Sequence, residues 1–213
     1  MKRIPMLVAV AVVLLPAASS SSLAAAPGQV SHYRLHGAVA EAGWARTIGT
    51  DFVGAYVQAS SAKSGGELVD EVFHDRYDQQ GRFLGSTVKH AAVTSGYAFA
   101  IDKAKLDSAT VDATGVPATL CRFDANWDPI GPCAATTVDV HAAWAGQGLV
   151  ARSVKNDHYR YHGFGLIEHS NGTQRDATAT ALVDGVDVTR DFLFATLSTN
   201  LYGSTTICLH GAC

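Results

Sequence analysis

The chain has 213 residues, 47% of them hydrophobic and 16% charged, with a formal net charge of −3. That is enough apolar chain to bury one substantial core, which excludes a disordered tail or a peptide too short to fold alone. With 16 Lys and Arg against 19 Asp and Glu and no basic block, nucleic acid and anionic membrane surfaces are excluded as partners.

In chain order, the first element is an expected export signal. Lys2 and Arg3 precede the apolar run Met6–Ala18, and Ser19–Ser22 and small residues follow. The run is shorter than the roughly 20 apolar residues a spanning helix needs, so it reads as a signal peptide without a membrane anchor. Cleavage after Ala24 satisfies the small-x-small rule through Ser22, and cleavage after Ala26 would leave Pro27 in front. Residues 1–26 are assigned to the signal and 27–213 to a single domain, expected to be secreted and extracellular. Removing Lys2 and Arg3 moves the formal charge from −3 to −5. The Ala-, Gly-, Val- and Thr-rich, Lys-poor composition resembles that of exported proteins of high-GC bacteria.

Beyond this point apolar residues recur every second position. Thr137–Trp144 sets Val138, Val140, Ala142 and Trp144 against Thr137, Asp139 and His141, the period of a half-buried strand. Arg175–Val183 sets Ala177, Ala179, Ala181 and Val183 against Asp176, Thr178 and Thr180. Further strands are expected at Ser31–Glu41, Asp51–Ala59, Leu68–Asp78, Phe83–Thr94, Tyr97–Asp102, Ala118–Phe123, His158–Ile167 and Phe192–Leu201. Turn signals fall at Ser64-Gly65-Gly66, Gln79-Gln80-Gly81, Gly146-Gln147-Gly148, Asn171-Gly172 and Asp184-Gly185. One short helix is expected near Asp102–Thr110. The fold class is all-β, a single antiparallel β-sandwich or β-barrel domain.

Cys121, Cys133, Cys208 and Cys213 make an even set, the mark of disulfides in an exported chain. Local pairing, Cys121–Cys133 and Cys208–Cys213, is expected, each bond contributing about 2–3 kcal/mol.

The hexapeptides His32–Gly37 (HYRLHG) and His158–Gly163 (HYRYHG) place two His four apart, like half of a metal site. On a helix they would share a grip, but Tyr159, Tyr161 and Gly163 favour extended chain, where positions four apart lie roughly 13 Å from each other. Zinc needs ligands at about 2 Å, so no metal and no cofactor is expected. His158, Arg160 and His162 instead read as a cluster on one sheet face.

Within Cys121–Cys133, Asp124, Asn126 and Asp128 open like a calcium loop. Pro129 stands where the sharp-turn Gly belongs and Ala135 where the distal Glu belongs, so the three residues read as shaping the turn. Trp127, at the tip of this loop, is the candidate partner contact. No G-x-S-x-G elbow, H-E-x-x-H or phosphate-cradling Gly loop is present. Asp70 and Glu71 are adjacent, and on a strand they point to opposite sides. The expected function is a non-enzymatic module presenting loops to a protein or glycan partner. The alternatives are a barrel carrying a small apolar ligand, with Phe52, Tyr56, Phe73 and Tyr77 among its lining, and a hydrolase whose site assembles from scattered residues.

Overall fold

The computed structural model describes residues 30–34, 37–62, 65–161 and 164–209, so the expected signal peptide, His36, His162 and Cys213 lie outside the described residues. The strands are β1 (Val30–Arg34), β2 (Gly37–Ile48), β3 (Asp51–Ala62), β4 (Gly65–Tyr77), β5 (Phe83–Val93) and β6 (Tyr97–Ile101). They continue with β7 (Ser108–Phe123), β8 (Ala134–Tyr161), β9 (Phe164–Val183), β10 (Val186–Asp187) and β11 (Phe192–Leu209). The expected all-β class holds, and every pairing is antiparallel.

Periodicity alone leaves sandwich and barrel open, and pairing decides between them. The ladder runs β2-β3-β4-β5-β7-β8-β9, and β11 then pairs with both β9 and β2. Eight strands thereby form a closed up-and-down ring, with no free edge within it. The short β6 sits on β7, β10 on β9, and β1 on the far part of β11.

An eight-stranded ring is just wide enough to be filled by side chains. Here Val57, Leu68, Val111, Val116, Val138, Val140, Leu197, Trp44 and Trp144 are almost fully buried, with Ala at many intervening inward positions. On β7 to β9 the inward residues are Val, Ala and Trp, and the outward ones include Thr110, Asp112, His141, Thr178 and Thr180 beside the exposed Ala143 and Leu182. No helix among the described residues is long and apolar enough to cross a membrane.

Several local expectations give way to tertiary pairing. The segment 102–110 is not a helix. Asp102 Oδ1 accepts the Ala104 and Lys105 amides at 3.0 and 3.1 Å, and Leu106 turns at φ 53° to enter the core. Strand β7 follows at once, and helical structure among the described residues is limited to the 3-10 turn Thr189–Asp191. Arg175 binds this plug through the Lys105 carbonyl at 3.1 Å and the Asp107 carboxylate. Gly146 is required here, because a Cβ would lie 2.2 Å from the Leu106 carbonyl oxygen.

Asn171-Gly172 is not a hairpin turn either. Asn171 lies within β9, paired with Val154 of β8 on one side and Tyr202 of β11 on the other. Gly146-Gln147-Gly148 is a bulge inside the 28-residue β8, where the register slips between Gln147 and Ala151. Beyond it, β8, β9, β11 and β1 continue as a four-stranded extension of the barrel wall. Asp184-Gly185 does turn, with φ of 50° and 74°.

Candidate functional site

The Cys121–Cys133 loop is closed by its disulfide, as expected. Asp124 shapes it: Oδ1 accepts the Asn126 amide at 2.7 Å and the Asp128 amide at 3.0 Å, while its carbonyl accepts the Trp127 amide at 3.1 Å. The calcium-like spacing therefore serves the backbone of a turn, and Asn126 and Asp128 are exposed on it. Trp127, at φ 65°, folds back onto the barrel end. Its ring stacks on Phe83 at 5.4 Å and lies 5.3 Å from Phe123, with Tyr77 continuing the stack beyond Phe83. Aromatic stacking of this kind holds Trp127 against the start of β5 and the end of β7.

The twin hexapeptides do not meet. His32 falls in β1 and His158 in β8, with β11 and β9 between them, roughly 14 Å of sheet at the usual strand spacing. His158 pairs with Ile167 and Arg160 with Gly165 in the extension; His162 is outside the described residues. Cys208 pairs with Gly165 along the backbone, and its expected bond to Cys213 also falls outside them. Among the described residues no group of three or more His, Cys, Asp or Glu is arranged to hold a metal.

What the strands do bring together lies on the outer face of β7, β8 and β9. Asp112, His141 and Leu182 stand opposite one another across the three strands, and Thr110, Ala143 and Thr180 form the next row. Both rows line an open groove of about 400 Å³. His141 Nδ1 is 2.8 Å from Asp112 Oδ1, the geometry of an imidazole N–H donating to a carboxylate, which leaves Nε2 as the acceptor in the neutral ring. Both side chains are well exposed, and Leu182 is an exposed large apolar residue beside them. Among the described residues no hydroxyl is hydrogen-bonded to His141. The polar face carrying Asp139 and His141 was legible from alternation; Asp112 as its partner needed the register of β7 on β8.

The opposite wall carries a second polar cluster. Tyr56 donates to Glu41 Oε2 at 3.1 Å, and Thr196 donates to Glu41 Oε1 at 2.7 Å. Glu71, next to Tyr56 in register, has its carboxyl pushed up to about 7 by burial and then by Asp75. His90 faces it, Nδ1 3.7 Å from Oε2, and burial pushes that imidazole down. Asp70, one residue before Glu71, points into the barrel with Val57 and Ala91, so the two carboxylates do face opposite sides.

Compared with family models, with curated proteins and with solved structures, the chain matches none.

Proposed function

We propose that this chain is an exported, non-enzymatic binding module whose ligand face is the groove of β7, β8 and β9, and that its partner is a glycan. One observation carries the reading: the groove lies on the outside of a barrel whose described interior is filled by Val, Ala, Leu and Trp side chains. A sugar presents hydroxyls and apolar C–H faces side by side. The groove answers with an oriented Asp112–His141 pair, the Thr110 and Thr180 hydroxyls, and the apolar surface of Leu182 and Ala143. Export is supported by the charged, apolar and small-residue order of residues 1–26 and by the Cys121–Cys133 disulfide. The same Val-, Ala-, Leu- and Trp-filled interior counts against a carrier of a small apolar ligand.

A glycan array probed with the labelled protein tests the reading. Binding is expected, and Asp112→Ala and Leu182→Asp should each weaken it at least about tenfold, the loss of one or two good contacts. Absence of binding, or equal binding by both variants, would overturn it. Hydrolysis is the second reading, favoured by the 2.8 Å Asp112–His141 contact. Covalent labelling by a serine-directed phosphonate, abolished in His141→Ala, would establish that instead.

A further inference from the structure

The two copies of His-Tyr-Arg, at 32–34 and 158–160, lie on different strands of one sheet, the extension formed by β8, β9, β11 and β1. Its register fixes which positions share a face, because opposed residues of an antiparallel ladder do so and positions two apart along a strand rejoin it. Arg34, Tyr202, Asn171 and Val154 form one row. The next row on that face is His32, Ser204, His169 and Asn156, and the one after it runs through Ile167 to His158. Arg152, opposite Thr173, precedes these rows, and Arg160, opposite Gly165, follows them. One face of the extension thus gathers Arg34, Arg152, Arg160, His32, His158 and His169, with no Asp or Glu at any of its described positions. Asp157 and Glu168, opposed to each other, fall on the other face with Lys155. Contacts within the cationic face agree with the register. Arg152 Nε donates to Asn171 Oδ1 at 3.2 Å, and His169 Nδ1 lies 2.6 Å from Asn156 Oδ1, with Arg152, Asn156 and His169 all exposed.

We propose that this face docks an acidic polysaccharide through carboxylates carried along the polymer. Charge complementarity is the first argument. Three arginines and no carboxylate give the face a formal +3, counting His as neutral, on a chain whose total is −3. Its extent is the second. Arg152 and Arg160 are eight residues apart on β8, about 27 Å of strand, and the four strands span about 14 Å. A single small anion would meet one or two of these positions, whereas a polymer with repeated charges meets them all. Guanidinium groups suit planar carboxylates, and Asn156, Asn171 and Ser204 at positions between them suit sugar hydroxyls. A protein partner calls instead for an apolar, charge-depleted centre, and the central row here is His32, Ser204, His169 and Asn156. The face is separate from the groove of β7 to β9. On β9 its positions are odd-numbered, while Thr180 and Leu182 of the groove are even-numbered, so the two lie on opposite sides of that strand.

Calorimetric titration of the full chain with polygalacturonate, and with its fully methyl-esterified form, tests this. The acidic polymer should bind, more weakly as salt is raised, and the uncharged ester should not. Replacing Arg34, Arg152 and Arg160 together by Gln, with circular dichroism unchanged, should weaken binding at least about tenfold. Arg152→Gln alone, at an exposed position, should weaken it measurably, and Lys155→Gln on the other face should leave it nearly unchanged. Failure of the acidic polymer to bind, equal binding of the ester, or full binding by the triple variant overturns the proposal. Equal losses in Arg152→Gln and Lys155→Gln would reduce the effect to overall charge and overturn this face as the site. Duplex DNA bound as tightly as polygalacturonate would overturn the choice of a polysaccharide. Binding lost in Leu182→Asp but kept in the triple variant would move the polymer to the groove, against this proposal.

Discussion

The two walls of the barrel obey different rules. Around the groove on β7, β8 and β9 burial alternates residue by residue, with Val111, Ala142 and Ala181 inside and Asp112, His141 and Leu182 outside. On β3 every residue from Gly54 to Ser60 is buried, so both faces of that strand are covered. The difference comes from what lies on the outer surface. Phe73 lies over Gly54 and Phe194 over Gly43, and Tyr56, Gln58 and Glu41 fill the space between with hydrogen-bonded polar groups. A thin wall keeps its outer face for solvent and ligands. The thick wall spends both faces on packing and holds its titratable groups partly dry.

Gly54→Val gives the largest expected break in this contrast. A Cβ there would meet the Phe73 ring at 2.3 Å and the Trp44 carbonyl oxygen at 2.9 Å. Overpacking at such a site should destabilise by about 2–3 kcal/mol in urea melts. A variant as stable as wild type would mean the thick wall is not packed as described.

Glu71→Gln comes next. The folded carboxyl, at about 7, lies above its ordinary 4.5, so the folded state binds this proton more tightly than the unfolded state. The stabilising contribution is present at or below about pH 4.5, is lost as pH rises toward 7, and changes no further above that. The glutamine variant should therefore match wild type near pH 5 and exceed it by about 2 kcal/mol at pH 8. Equal pH dependence of the two proteins in denaturant titrations would remove Glu71 from the buried cluster.

Asp112→Asn should do least to the fold. Its ion pair with His141 is solvent-exposed, and such pairs contribute about 0–1 kcal/mol. Unchanged melting with altered ligand binding is the expected pair of results. A loss above about 2 kcal/mol would make the thin wall structural as well.

Much of the thin wall was legible in the residues themselves. Thr137–Trp144 and Arg175–Val183 wrote out their faces because one side meets core and the other meets water. The upper part of β7 was not legible. Ala109, Val111 and Ala113 alternate, but Gly115, at φ 64°, and Pro117 interrupt the pattern. Pro117 is tolerated because β5 pairs only with residues from Thr119 on and β6 only up to Ala113, which leaves that stretch a partner on one side alone. Asn171-Gly172 misled for a related reason. A dipeptide suited to a turn is held straight when strands pair with it on both sides.

The sequence by itself determined the β class, the Cys121–Cys133 bond, the Asp184-Gly185 turn and the opposite facing of Asp70 and Glu71. Each depends on period two or on contacts a few residues apart. Tertiary structure alone decided ring closure through β11, the meeting of Asp112 with His141, and the retreat of Trp127 onto Phe83. Those outcomes depend on strand register and on partners tens of residues away, which no local pattern encodes.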